Sequence, residues 1–303
     1  MVLAALSFII GLVLYLTGNN LFFNYLFFDN EITFAVFSVI TELGDTLAYL
    51  LIIVVAWYIY DKKFAKNLAI SLLGSYYINN FLKDFFQDPR PPTNSKVGAG
   101  GYGLPSGHSQ NGVAGWGYLA YEAHRKRNMI LFLVFTILLY LIAGSRLIIG
   151  VHDIEDVWIG LTIGFIWLIL FILFEPKVSQ MINNLIPLIQ AVLALIIPIV
   201  LFFVAILVFP SSINDYALIC GALMGLSLGY IIETKMIKYE PGELTKTQRI
   251  VNLILGLIIT IILYFGFSLL FPESPLMDLL QYFILSFLLV TLVPLIFTKI
   301  NRK

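Results

Sequence analysis

The chain has 303 residues, of which 60% are hydrophobic and 12% are charged, against about 45–50% and 25% in soluble domains. Lysine plus arginine equal aspartate plus glutamate at 18 each, so the net charge is zero. This composition, with a mean hydropathy of +0.93, excludes soluble, disordered and nucleic-acid-binding proteins and is typical of a polytopic membrane protein. The single cysteine, Cys220, cannot form an intrachain disulfide or a thiolate metal site.

Apolar stretches long enough to cross a membrane recur along the whole chain, since a crossing helix needs roughly 20 residues. Ten membrane-spanning helices are predicted, at residues 2–17, 45–60, 64–82, 108–124, 129–147, 154–174, 184–208, 215–233, 250–271 and 277–298. Residues 20–42 mix carboxylates with aromatic side chains, which favours a helix lying in the membrane interface. The predicted fold class is therefore all-α, a polytopic membrane helical bundle.

Basic residues are divided unevenly between the two sets of helix ends. One set has all but four of the 18 lysines and arginines, and the other set has Lys83, Arg90, Lys96 and Arg146. Because cytoplasmic loops are enriched in lysine and arginine, this division predicts a multi-pass protein of the cell membrane with both termini in the cytoplasm. The four remaining cations are then on the extracytoplasmic side, against the rule, which indicates that they serve a function there.

Three polar segments interrupt the apolar pattern, and ten alternating spans place all three at the same membrane face. They are Lys83-x6-Arg90-Pro91, Pro105-Ser106-Gly107-His108 and Ser145-Arg146-x5-His152-x3-Asp156. A loop rich in proline and glycine, residues 84–104, separates the first segment from the second. Loops of that length without secondary structure are often functional.

The cations of these segments, Lys83, Arg90 and Arg146, are predicted to converge on one place. Grouped cations bind a multiply charged anion, and the planar guanidinium group of arginine matches phosphate oxygens. Pro105 suits the first turn of a helix, so free backbone N–H groups from Ser106 onward would add to an anion site. The sequence therefore predicts a phosphate-binding site.

The two histidines of these segments offer a nucleophile and an acid. His152 and Asp156 are four residues apart, so on a helix they share one face, and the carboxylate can hold the imidazole tautomer. The other ring nitrogen is then available as a nucleophile, and His108 could protonate a leaving oxygen. No metal-ligand set is evident, so the predicted chemistry is metal-independent phosphoryl transfer through a phosphohistidine, without a cofactor.

This arrangement resembles the type 2 phosphatidic acid phosphatase superfamily of membrane lipid phosphatases over roughly residues 20–175. The resemblance implies that His152 is the nucleophile, Asp156 its partner and His108 the general acid. It implies that the phosphoryl group is bound by Lys83, Arg90, Ser106, Gly107 and Arg146. It also implies a six-helix phosphatase core, residues 1–175, to which residues 176–303 add a four-helix extension. For that extension, structural support, a homodimer contact and a lipid-entry wall all stay open.

The predicted function is hydrolysis of a lipid phosphate or polyprenyl diphosphate in the outer leaflet. The sequence of residues 83–92 and 102–110 resembles that of dolichyl-diphosphate and sphingoid-phosphate phosphatases. This resemblance favours a long-chain lipid phosphate in the bilayer as the substrate. A lipid phosphotransferase with a different acceptor would use the same site. A transporter or scramblase is a third hypothesis, prompted by ten spans and a weak repeat of residues 209–212 at 271–274. A transporter site should lie near the membrane midplane, whereas the three polar segments lie at one membrane face, which argues against this hypothesis.

Overall fold

The computed structural model describes residues 6–7, 9–13, 30–272 and 274–301. From residue 30 onward, the α-helices in chain order are α1 (Glu31–Glu42), α2 (Thr46–Ile59), α3 (Lys62–Phe86), α4 (Gly107–Gly112), α5 (Tyr118–Arg125), α6 (Met129–Ile148), α7 (Ile154–Asn183), α8 (Pro187–Val208), α9 (Ile213–Ile232), α10 (Lys246–Leu270) and α11 (Pro275–Asn301). A π-helical turn, Val113–Gly117, joins α4 to α5, and a second one, Glu233–Ile237, extends α9. Short 3-10 turns lie at Pro92–Lys96, Pro210–Ser212 and Pro241–Glu243.

The described part of the chain contains no β-strand, which confirms the all-α class. Within it, six helices are long and apolar enough to cross a membrane, namely α6, α7, α8, α9 with its flanking turns, α10 and α11. Helices α1 and α2 meet at a 42° bend and together qualify as one broken span. The chain is thus a multi-pass membrane protein.

Ten membrane-spanning helices were predicted, and three of them do not coincide with a helix that is long and apolar enough to cross a membrane in the described part of the chain. Residues 2–17 lie mostly outside the described residues. Residues 64–82 and 108–124 are helical, but neither helix meets the test of length and apolar composition. The reason is a set of buried amide and hydroxyl side chains, among them Asn79 and Gln110, which lower the hydropathy and bond to each other inside the protein. Polar residues inside a membrane helix normally face protein rather than lipid.

The chain forms two compact units. Unit 1 consists of Met1–Tyr49 and Gly74–Phe174, and unit 2 consists of Leu50–Leu73 and Glu175–Lys303. Residues 50–73 therefore group with the C-terminal helices, although the sequence placed them in the core of residues 1–175. The predicted domain boundary stays a prediction.

Two glycines of α7 allow it to approach α4 closely in unit 1. A Cβ atom on Gly160 would lie 2.7 Å from the carbonyl oxygen of Ser106, and one on Gly164 would lie 2.7 Å from that of Gln110. Glycines four residues apart let two membrane helices meet backbone to backbone. Asp156 precedes Gly160 by the same interval, and its carbonyl accepts the Ser106 N–H at 3.0 Å. This contact fixes the second and third sequence segments against each other.

Unit 2 uses the same device between α9 and α11. Gly221, Gly225 and Gly229 are spaced four residues apart along α9. A Cβ atom on Gly221 would overlap the carbonyl of Leu279, and one on Gly225 would overlap the carbonyl of Phe283. Only hydrogen fits at these two positions, so Gly221 and Gly225 set the separation of the two helices.

Buried ion pairs also hold unit 2 together. The Lys62 ammonium lies 3.0 Å from the carboxylate of Glu233, which is fully buried, and 3.2 Å from that of Glu240. Lys66 lies 2.9 Å from the carboxylate of Glu175. Both lysines are 8% exposed. They therefore pack within the unit, whereas the sequence assigned them only a role in setting topology.

Candidate active site

The predicted site residues all lie in unit 1, where four helix ends contribute to one site. Lys83 lies in the last turn of α3, and Arg146 lies in the last turn of α6. Ser106 is the N-cap of α4, and Asp156 lies in the first turn of α7. The other predicted residues, Gly107 and His108 at the start of α4 and Arg90 and His152 in loops, complete the set.

The imidazole of His152 is held at both ring nitrogens. Its Nδ1 lies 2.8 Å from Oδ2 of Asp156, and its Nε2 lies 3.1 Å from Nη1 of Arg90. Arginine can only donate, so Nε2 accepts and carries the lone pair, while Nδ1 carries the hydrogen that Asp156 accepts. The sequence predicted that His152 lies on the same helix as Asp156, but His152 precedes the first residue of α7. The predicted contact between the two side chains nevertheless forms.

Burial is the main influence on the protonation of His152, which is 4% exposed. Removal from water and the nearby charges of Arg90 and Arg146 hold the pKa of this imidazole well below its ordinary value. Lys83 and His108 act on it in the same direction. His152 is therefore neutral at physiological pH, which is the state that a nucleophile requires.

The loop between α3 and α4 holds the guanidinium of Arg90 over His152. The Nε and Nη2 groups of Arg90 donate to the Gly100 carbonyl at 3.1 and 2.6 Å, and Nη1 donates to the Val151 carbonyl at 2.9 Å. Gly98 and Gly101 both have φ of +70°, a conformation that side chains disfavour. The glycines of this loop thus allow its carbonyls to converge on one arginine.

Arg146 is a buried arginine, 8% exposed, with part of its guanidinium unsatisfied. Its Nη1 donates to Oγ1 of Thr41 at 2.7 Å. Its Nε has no hydrogen-bond partner within the described part of the chain. A buried donor without an acceptor is costly, and an oxygen of a bound anion would satisfy it.

The start of α4 differs from the sequence prediction in two details. Pro105 precedes the N-cap and is not in the first turn. The backbone N–H of Ser106 donates to Asp156 and is not free for an anion, and the Ser106 hydroxyl is fully buried and accepts from the Ser109 hydroxyl at 3.0 Å. Ser106 thus joins α4 to α7 in this structure, and its role in binding phosphate stays a prediction. The same holds for Gly107, whose Cα faces Asn79 closely enough that a Cβ atom would lie 3.0 Å from its Oδ1.

A buried amide network joins α3 to α4. Asn79 donates through Nδ2 to the Pro105 carbonyl at 3.2 Å and to Oε1 of Gln110 at 3.0 Å. Gln110 donates to the Ser75 carbonyl at 3.0 Å. Ser75, Asn79 and Lys83 are spaced four residues apart along α3. This periodic polar stripe was the signal from which the network could have been predicted, and the network sets α4 relative to α3, whose last turn contains Lys83.

His108 also has a carboxylate beside it, which the sequence did not indicate. Its Nε2 lies 2.9 Å from Oδ1 of Asp45, in the turn between α1 and α2. The nitrogen is not well aligned for a hydrogen bond, and the contact becomes an ion pair only when the imidazole is protonated. Asp45 and His108 are far apart in sequence, and only folding brings them together.

Three carboxylates near His152 lie close together, a grouping that the sequence did not indicate; that the site works without a metal stays a prediction. Oxygens of Asp88, Asp153 and Asp156 lie within 4.8 Å of one another. Burial, and then the charge of Asp153, raise the pKa of Asp88. Asp153 also accepts the backbone N–H of Asp156 at 3.1 Å, so part of this grouping serves to cap α7.

Comparison with known proteins gives two family matches. A family model described as the PAP2 superfamily matches residues 64–180, and one described as the PAP2 superfamily phosphatase, transmembrane extension, matches residues 217–303. Phosphatidylglycerophosphatase B of Bacillus subtilis is 26% identical over 151 residues, which are 46% of this chain and 74% of that protein.

The fold has also been compared with solved structures. A crystal structure of a transmembrane PAP2 type phosphatidylglycerolphosphate phosphatase from Bacillus subtilis is 21% identical, with a TM-score of 0.49 over 58% of this chain and 98% of that one. The two family models match the helices of the site and the helices that follow them, in that order. The resemblance found in the sequence is confirmed, since residues 64–180 match the PAP2 superfamily and residues 217–303 match the transmembrane extension of PAP2 superfamily phosphatases.

Proposed function

We propose that this protein hydrolyses a lipid phosphate or diphosphate through a phosphohistidine formed on His152. The observation that carries the proposal is the imidazole held at both nitrogens, with Nδ1 at 2.8 Å from Asp156 and Nε2 at 3.1 Å from Arg90. That arrangement places the lone pair of Nε2 against the guanidinium of Arg90, so an anion that replaces this hydrogen bond is bound beside the nucleophile. It also keeps a carboxylate in place for the positive charge that develops on the ring.

In the first step, Nε2 of His152 attacks phosphorus and forms a P–N bond while the P–O bond to the leaving group breaks. His108 gives its proton to the leaving oxygen. In the second step a water attacks phosphorus, the P–N bond breaks, the electron pair returns to Nε2, and a proton of the water passes to His108. Lys83, Arg90 and Arg146 offset the charge on the phosphoryl oxygens throughout.

The substrate class is proposed to be a long-chain lipid phosphate or polyprenyl diphosphate. The site residues lie at helix ends, where the headgroup of a membrane lipid is found while its chains stay in the bilayer. Phosphatidylglycerophosphate joins the candidates because the Bacillus subtilis relative is named for it. Both termini are proposed to be cytoplasmic and the site extracytoplasmic, on the uneven division of lysine and arginine.

A phosphate-release assay in detergent tests the reaction and the substrate together. It compares polyprenyl diphosphate, sphingoid phosphate, phosphatidate, phosphatidylglycerophosphate and a water-soluble phosphate, each with and without a chelator. We expect lipid substrates to release phosphate in chelator, because cationic side chains supply the charge. Loss of activity in chelator with recovery in magnesium would contradict this mechanism. Accumulation of a phosphorylated acceptor in place of free phosphate would identify a phosphotransferase.

The three histidines of the chain allow the intermediate to be assigned. We expect His152→Ala to abolish both phosphoenzyme formation and turnover. His108→Ala should slow lipid monophosphates more than diphosphates, because an alkoxide needs the proton more than phosphate does. His124→Ala is the control, since His124 is exposed at the end of α5. Phosphoenzyme in His152→Ala, with the phosphoryl group on His108, would refute the assignment.

A further inference from the structure

A segment outside all three sequence motifs forms part of the site. The turn between α1 and α2 lies against the ring of His108, where a Cβ atom on Gly44 would be 2.8 Å from Cδ2 of the imidazole. The same atom would be 2.7 Å from Cγ2 of Ile142, so only glycine fits between the two. The Leu43 carbonyl accepts the indole N–H of Trp116 at 3.0 Å. The turn is thus fixed beside His108 from both sides.

This turn brings a carboxylate to His108. Oδ1 of Asp45 lies 2.9 Å from Nε2, and the Asp45 side chain is 44% exposed while that of His108 is 21% exposed. A partly solvated carboxylate keeps its charge without a large desolvation cost. The Nε2 atom itself is buried against it. That leaves Nδ1 as the ring nitrogen through which His108 can meet a substrate.

The other charges around His108 make this carboxylate important. Lys83, Arg146 and His152 face His108 from α3, from α6 and from the loop before α7, and each disfavours a positive imidazole when it is charged itself. Asp45 is the carboxylate that opposes them at His108, and Glu42 and Arg146 in turn act on Asp45. A general acid has to carry its proton before the reaction, so a counter-charge is needed at this position.

We propose that Asp45 is a positioning residue for the general acid of the reaction. Its carboxylate holds Nε2 of His108 and stabilises the imidazolium, and Nδ1 then delivers its proton to the leaving oxygen. The proton returns to Nδ1 from the water that cleaves the P–N bond. The site thus contains two histidine–aspartate pairs, one for the nucleophile and one for the acid. This inference rests on the proposed phosphohistidine mechanism.

The test uses the full-length protein in detergent and a matched pair of substrates, farnesyl phosphate and farnesyl diphosphate. Both have the same tail, but the leaving group of the first is the farnesyl alkoxide and that of the second is farnesyl phosphate. General acid catalysis is worth about 10²–10⁴-fold, and we expect Asp45→Asn to lose at least about tenfold more kcat on the monophosphate than on the diphosphate. The alkaline limb of its pH profile should move to lower pH, because the imidazolium loses its counter-charge. Glu31→Gln is the control, since Glu31 is an exposed carboxylate at the other end of α1.

Equal losses on the two substrates, or an unchanged pH profile, would overturn the role of Asp45. If Asp45→Asn does not accumulate as folded protein, Asp45→Glu is measured in the same way. It keeps the charge but moves it by one methylene, and it should show a smaller loss in the same direction; equal losses on the two substrates would again overturn the role. Failure of the unmodified protein to release phosphate from these two substrates and from every other lipid phosphate of the assay above would instead refute the proposed function.

Discussion

Replacement of Gly160 by alanine tests whether close contact between α7 and α4 assembles the site. The added Cβ atom would lie 2.7 Å from the Ser106 carbonyl oxygen and 3.1 Å from Cβ of Ser109. Ordinary van der Waals contact begins at 3.4 Å, so the two helices have to separate locally by about 0.7 Å. The hydrogen bond from Ser106 to the Asp156 carbonyl, 3.0 Å long, lies directly at this contact and would lengthen.

Two consequences follow from that separation. Overpacking of this kind costs about 1–3 kcal/mol, so Gly160→Ala should fold with a lower unfolding temperature. It also moves His108 on α4 away from Asp156 in the first turn of α7 and from His152 just before that helix. Since a misplacement of about 1 Å can cost on the order of 10²-fold, we expect kcat to fall by about 10–100-fold.

The assay measures phosphate release and thermal unfolding in detergent for Gly160→Ala and for Gly112→Ala. Gly112 is the control because it lies on α4 and a Cβ atom there would meet nothing within 4 Å. Alanine at an open helical position stabilises by roughly 0.5–1 kcal/mol, so Gly112→Ala should unfold at an equal or higher temperature and keep its turnover. Wild-type turnover and stability in Gly160→Ala would refute the reasoning.

Three further predictions concern packing, protonation and topology. Gly225→Leu should prevent α9 and α11 from packing and lower the yield of folded protein. Gly266→Leu is the control, because a Cβ atom on Gly266 would meet no atom within 4 Å, and it should fold normally. Size-exclusion profiles that are the same for both variants would contradict this. Because the pKa of His152 is lowered from 6.5 on folding, the unfolded chain binds an extra proton below about pH 6.5, and stability falls as pH falls. Scanning calorimetry should therefore show a smaller loss of unfolding temperature from pH 7 to pH 5 in His152→Gln than in the unmodified protein, and an equal loss would contradict it. An impermeant thiol reagent should label Ser95→Cys, in the exposed loop, in intact cells and Lys126→Cys only after lysis; the reverse pattern would invert the proposed topology.

The sequence by itself determined the features that depend on composition and on short spacing. A chain with 60% hydrophobic residues has to place its helices in a membrane. His152 and Asp156 are four residues apart and make their contact across the start of one helix, so the contact could be predicted locally. The three motifs identified the superfamily for the same reason, because each is a short segment with fixed spacing.

Tertiary structure alone decided which residues from distant segments meet. Asp45 beside His108, the amide network of Asn79 and Gln110, and the three carboxylates behind His152 join different helices or loops. Their contacts depend on how closely helices pack, and that is set by glycines such as Gly160, which have no side chain to pack and leave room for a neighbouring backbone. Sequence spacing describes one helix at a time, whereas these contacts depend on the distance between two.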